Sequence, residues 1–232
     1  MLASLAAVVL TYTLQGGRGV LAPLALGLGV WLILGSLAEI ADRAKLFRVD
    51  VRTSLSRLAG LPRSAIGSAV AHAGMGATVL GIVCATAYQS ETIAALAPGQ
   101  TMQVGGYTLM YQGSSPANGP NYREERALII ATRGGAEPVP LVPTKRFYPT
   151  RQMATTEAAI RTTGFSQLYV SLGDQTGAGT VAVRASYKPM VTLIWLGALV
   201  MALGGALSMS DRRLRVGAPR RAASTRAAAA TA

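Results

Sequence analysis

Residues Ala65–Tyr88 read AIGSAVAHAGMGATVLGIVCATAY, 24 residues without an Asp, Glu, Lys or Arg. At about 1.5 Å per residue, a helix of that length crosses a hydrocarbon core of about 30 Å. The chain's one histidine, His72, lies inside it. An ionisable ring is costly to place at such depth, so His72 is a candidate functional group by position alone. Apolar stretches precede this segment and a polar, strand-rich stretch follows it. The fold class expected is α+β: an integral membrane protein with about four transmembrane helices, the first short or truncated. A small β-rich domain sits between the last two.

Composition agrees. Half of the 232 residues are apolar and only 14% are charged, with a mean hydropathy of +0.36. Those values suit membrane spans joined to one extramembrane domain better than a soluble fold. The net charge of +12 does not mark a nucleic-acid binder. Of 22 Lys and Arg, six lie in Arg43–Arg63 and six in Arg212–Arg226, each cluster flanking an apolar span. That is topology-setting charge, not a phosphate-binding stripe. A single cysteine, Cys84, excludes an internal disulfide and Cys-x-x-Cys chemistry within this chain.

Residues 1–41 hold two N-terminal membrane segments. Met1–Leu14 is apolar but short, and it lacks the basic flank of a secretory signal. It is expected to be the tail of a helix whose start is not in this chain. Gln15–Gly19 (QGGRG) is a turn. Leu21–Ala41 is long enough to span, with Glu39 near its end and Arg43 four residues on, an expected surface ion pair.

Residues 42–64 form a basic amphipathic loop or helix suited to an anionic leaflet. Its charge places it in the cytoplasm, so the helix 65–88 runs outward and residues 89–188 are exported. The final span, 189–210, returns to a basic cytoplasmic tail, 211–232, whose Ala- and Arg-rich composition predicts disorder. Tyr187 and Lys188 stand before that span as interface anchors.

The exported stretch reads as strands. Thr101–Tyr111 and Arg126–Thr132 are β-rich. Gln167–Leu172 and Thr180–Ala185 form a hairpin across Gly173–Gly179. Thr155–Arg161 (TTEAAIR) is expected as one short helix, capped by Thr155 or Thr156 with Glu157 in its first turn. No catalytic triad, metal cluster or phosphate loop can be assembled from this stretch. Glu124 and Glu125, flanked by Arg123 and Arg126, read as a solvated charge cluster.

His72 supports two readings. Ser68 lies four residues before it and Gly76 four after, on one helical face. Small residues one turn above and below let a flat macrocycle approach while imidazole supplies an axial iron bond. Alternatively Ser68 and Gly76 form a helix-packing face, with His72 hydrogen-bonded across it. The pattern does not decide between them.

The residues also carry a resemblance. AHAGMGATVLGI around His72, Gly119-Pro120-Asn121-Tyr122, Lys145-Arg146-Phe147-Tyr148, Met153-Ala154-Thr155-Thr156-Glu157-Ala158-Ala159-Ile160, Leu168–Gly173 and Lys188–Arg213 occur in this order. The set resembles the C-terminal third of CcmF/NrfE-type cytochrome c biogenesis proteins, the membrane heme lyase component of the multi-subunit maturation pathway. The resemblance covers about Leu21–Arg215.

It implies that His72 is an axial ligand of a resident heme b, through its iron, with Ser68 and Gly76 heme-facing. In the family this heme reduces the iron of incoming heme for attachment to the CxxCH thiols of apocytochrome c. The implied setting is the bacterial inner membrane, with 89–188 in the periplasm. The implied partners are an N-terminal complement of the same lyase, the other maturation subunits including the heme chaperone, and apocytochrome c. The family's Trp-rich heme-presenting segment, its flanking histidines and the second heme b histidine have no counterpart in this sequence. The chain is therefore expected to work with a partner and not to act as a lyase alone. The alternative is a non-catalytic, membrane-anchored assembly module. A transporter fragment would show paired polar residues at mid-membrane depth, and apart from His72 the spans hold hardly any.

Overall fold

The computed structural model describes residues 1–17, 19–177 and 179–211. Four helices come first: α1 (Leu2–Leu14), α2 (Leu21–Arg43), α3 (Val51–Ala59) and α4 (Arg63–Ala87). Ten strands follow among the described residues: β1 (Ser90–Leu96), β2 (Thr101–Val104), β3 (Tyr107–Asn118), β4 (Arg123–Thr132), β5 (Val139–Leu141), β6 (Thr144–Tyr148), β7 (Met153–Glu157), β8 (Ala159–Thr163), β9 (Ser166–Gly177) and β10 (Thr180–Lys188). Helix α5 (Thr192–Met209) closes the described chain.

Helices α2, α4 and α5 are long and apolar enough to cross a membrane, whereas α1, at 13 residues, reaches only about 20 Å. Helix α3 starts at Asp50, whose carboxylate accepts from the Thr53 N–H at 2.9 Å. Glu39 and Arg43 form the expected i,i+4 pair at 2.7 Å.

Packing between α4 and α5 depends on glycines one heptad apart. A Cβ on Gly67 would stand 2.5 Å from the Gly204 carbonyl oxygen, and one on Gly74 would stand 2.6 Å from the Met201 nitrogen. Gly81 meets Ile194 in the same way. Lipid gives helices no hydrophobic reason to associate, so close backbone approach and its dispersion energy must hold them. The other side of α4 meets α2 through Gly76 and Gly29.

The strands make two antiparallel sheets, β1-β10-β9-β8 and β2-β3-β4-β6-β7, with β5 added on β4. Leu109, Tyr111 and Ile129 of one sheet pack with Leu168, Val170 and Val183 of the other, all nearly free of solvent. Strands β1 and β10 pair from Ser90↔Tyr187 to Leu96↔Val181. The sandwich therefore receives the chain from α4 and returns it to α5 side by side. At the opposite end of this helix pair, the Asp211 carboxylate accepts from the Ser64 N–H at 3.0 Å, capping α4.

Several expectations need correction. Thr155–Arg161 is not a helix: its β-branched residues extend along two sheet edges, β7 against β6 and β8 against β9. Thr101–Tyr111, expected to be β-rich, is the hairpin β2 with the start of β3. Gly105 and Gly106, at φ +54° and +79°, form its two-residue turn. The expected hairpin across Gly173–Gly179 is present, with its strands running further, to Gly177 and from Thr180. Asp211, expected in the disordered tail, is buried and holds α4. The rest of that tail, 212–232, lies outside the described residues.

Candidate functional site

Helix α4 sets its tenth residue, His72, about 14 Å along a length of about 37 Å. The ring stands exposed on the helix surface rather than packed. Its Nδ1 lies 2.8 Å from the Ser68 carbonyl oxygen and 3.5 Å from the Ser68 hydroxyl. A carbonyl only accepts, so Nδ1 carries the proton and donates it there. In the neutral imidazole this tautomer leaves the lone pair on Nε2, the form in which imidazole binds a metal.

Facing the ring is a groove of about 360 Å3 between α2 and α4. Trp31, Leu32, Gly35, Ser36 and Glu39 of α2 form its other wall. Trp31 is half-exposed, and a Cβ on Gly35 would meet no atom within 4 Å. Ser36 turns its hydroxyl away, to the Ile33 carbonyl at 2.8 Å. The wall is thus apolar and flat at Gly35, with polar groups restricted to the Glu39 end.

The three residues singled out from the sequence do not play alike. Ser68 lies beside His72 and fixes its tautomer, chiefly through the main chain. Gly76 backs onto α2, where a Cβ would stand 2.7 Å from the Gly29 carbonyl oxygen and 2.7 Å from Ile33 Cγ1. Its small size admits a helix, and the open glycine in the groove is Gly35. Sequence reasoning missed Trp31 and Gly35 because they belong to a different span. The available signal was a Trp and a Gly four residues apart on one face of α2.

The donor set fits a heme on one side. One imidazole is held with its metal-binding nitrogen free, beside an apolar groove whose wall has room at Gly35. Among the described residues no second histidine faces it, and no cluster of His, Cys, Asp or Glu could hold a bare metal ion.

The sandwich carries a second polar cluster, which corrects the reading of Glu124 as solvated. Its side chain is 2% exposed and is gripped by Arg126 at 2.6 Å and Arg146 at 2.9 Å. Hydrogen bonds from Arg146 and then Arg126 hold its carboxyl below the ordinary range. Arg146 also lies 4.6 Å from the centre of the Tyr122 ring, which packs at a 57° tilt against Tyr148 with ring centres 5.5 Å apart. Glu125 bonds Ser114 and Gln175. Every carboxylate here has a partner, which suits a structural bracket between β4 and β6 and not an acid–base pair.

Residues 87–189 match the CcmF C-terminal β-sandwich. The chain is 50% identical over 218 residues to the cytochrome c-type biogenesis protein CycK of Rhizobium meliloti (strain 1021), covering 94% of this chain and 32% of that protein. It is 36% identical over 189 residues to the cytochrome c-type biogenesis protein CcmF of Pseudomonas aeruginosa, covering 82% and 28%. The likeness to NrfE of Haemophilus influenzae is 32% over 150 residues. The chain spans about a third of the length of the curated relatives it matches. In fold it resembles the solved cytochrome c heme lyase CcmF, with a TM-score of 0.66 at 23% identity over 90% of this chain and 34% of that one.

Proposed function

The chain belongs to the CcmF family of cytochrome c-type biogenesis proteins, and from that premise we propose that it is the C-terminal part of a membrane heme lyase. In this reading His72 supplies one axial ligand to a resident heme b. One observation carries the assignment: Nδ1–H is committed to the Ser68 carbonyl, so Nε2 is the free nitrogen, and the ring borders an open groove. Trp31 and Leu32 give the macrocycle an apolar wall and Gly35 gives it clearance. Gly76 contributes by setting how close α2 comes, and so how wide the groove is. Bound there, heme b supplies an iron-centred one-electron couple for reducing incoming heme.

Helices α2, α4 and α5 cross the bacterial inner membrane, with α1 as a short fourth segment. The basic stretch around α3 lies on the cytoplasmic face, where Val51 and Leu55 stand exposed among arginines. The sandwich stands in the periplasm, on the side where incoming heme and apocytochrome c meet. A second ligand to the iron would come from an N-terminal complement, and the heme chaperone and other maturation subunits would be further partners.

The test is the heme absorbance spectrum of the chain purified with its N-terminal complement. His72→Ala is expected to remove the bis-histidine signal. Gly35→Leu, whose Cβ would meet no atom within 4 Å and whose branched end would enter the groove, is expected to lower heme content, and Ser68→Ala is expected to keep it. An unchanged spectrum in both His72→Ala and Gly35→Leu would leave the chain a non-catalytic assembly module.

A further inference from the structure

The base of the sandwich, where it meets the helices, carries a feature that heme ligation does not use. The turn between β8 and β9 is tied to the first turn of α5. The Phe165 carbonyl accepts from the Thr192 N–H at 3.1 Å and from its hydroxyl at 2.9 Å. The Met190 N–H donates to the Ser166 hydroxyl at 3.3 Å. These bonds fix the turn at the height where α5 begins. Gly164, at φ +57°, forms its tip, and Phe165 is 51% exposed. Beside it stands Trp195, 75% exposed, and between them runs an open apolar groove that continues down α5 to Leu199.

An exposed Phe on a tight turn has no use for water, and a half-inserted aromatic is stable in a headgroup layer. The charge around it is of the matching sign. Arg161, on the same strand as the turn, is exposed and lines a cavity at the sandwich base with Arg133 and Thr163. The guanidinium of Arg133 lies 5.2 Å from the centre of the Tyr187 ring, and Lys188 follows Tyr187 directly before α5. One carboxylate, Glu137, shares that cavity. Around the turn these are three cations, Arg133, Arg161 and Lys188, to one anion, Glu137, a balance of the sign that suits lipid phosphate.

We propose that the β8–β9 turn is a second, non-helical attachment of the sandwich to the bilayer, with Phe165 and Trp195 in the headgroup layer and Arg161 against phospholipid phosphate. The hydrogen bonds from Thr192 and Met190 hold the turn to α5, and the attachment extends that hold to the lipid surface, setting the tilt of the sandwich over the membrane. It rests on the reading that α5 spans the membrane.

The test uses the full chain in liposomes of phosphatidylcholine with phosphatidylglycerol, containing lipids brominated at shallow or deep positions. Trp31→Phe leaves Trp195 as a reporter of α5, and Phe165→Trp in a chain also carrying Trp31→Phe and Trp195→Phe places a reporter on the turn. Loss of fluorescence from Trp at 165 with shallow bromines, weaker with deep ones, is the expected result. Arg161→Glu should red-shift that emission. If Trp195 is quenched by bromolipid while Trp at 165 responds only to aqueous iodide, the attachment is refuted and the span stands. If Trp at 165 is shielded from both quenchers, a protein covers the turn and the lipid assignment fails. If neither reporter is quenched by lipid, the span and the attachment fall together.

Discussion

Gly74→Ala tests how the α4–α5 pair is held. The Cβ added there stands 2.6 Å from the Met201 nitrogen and 2.7 Å from the Gly197 carbonyl oxygen, both backbone atoms that cannot rotate away. Ordinary contact begins at 3.4 Å, so the helices must part locally by about 0.8 Å. A gap of about 0.5–1 Å forfeits roughly a quarter to a half of a dispersion contact, and overfilled packing costs about 1–3 kcal/mol. Alanine's better helix propensity returns up to about 1 kcal/mol, which blurs a single measurement. Gly205→Ala removes that ambiguity, because its Cβ meets nothing within 4 Å on the same helix pair. The two variants share the propensity gain, so their difference isolates the clash, at about 1–3 kcal/mol. Unfolding of the detergent-solubilised chain by sodium dodecyl sulfate, followed by circular dichroism, reads it. Equal midpoints for the two would refute the glycine seam as the basis of α4–α5 packing.

Asp211→Ala should cost about 0.5–2 kcal/mol in the same assay by uncapping α4, and Asp211→Asn should keep most of that stability. The Glu124 bracket predicts a pH dependence. Its folded pKa is depressed, so its stabilisation is complete above the ordinary carboxylate value and is lost as pH falls below about 4.5 towards the depressed value. Glu124→Gln should therefore be less stable than the parent at neutral pH, with the difference shrinking in acid. Thermal unfolding of both chains across that range checks it, and a constant difference at all pH values would show that Arg146 and Arg126 do not set its charge.

Features that depend on one stretch of chain were legible in the sequence. The three long helices follow from apolar length, and the Glu39–Arg43 pair follows from its spacing. The hairpin β9–β10 follows from two β-rich runs around a glycine-rich turn. Features settled by pairing were not. Thr155–Arg161 carries a plausible helix start, but two sheet edges claim its backbone, and tertiary pairing overrides a weak local preference. Glu124 reads as solvated because its neighbours are charged. Of those neighbours Arg126 grips it, and the decisive partner, Arg146, comes from another strand.

The same distinction explains the site. Helix α4 is small-residue-rich all round, so no single apolar stripe shows which side faces what. At about 100° per residue, Gly67, Gly74 and Gly81 share one side and Gly76 lies about 180° from Gly67. The first set is filled by α5 and Gly76 by α2. His72 stands about 40° from Gly76, beyond the line of closest approach, so its ring emerges at the rim of the α2 contact and not within it. A glycine at 76 therefore brings α2 near enough to supply a wall, while leaving the imidazole uncovered. Exchanging His72 and Gly76 would bury the ring against the Gly29 carbonyl and open the groove to a residue with no donor. The ligand reading of His72 thus depends less on the small residues beside it than on the helix that one of them admits.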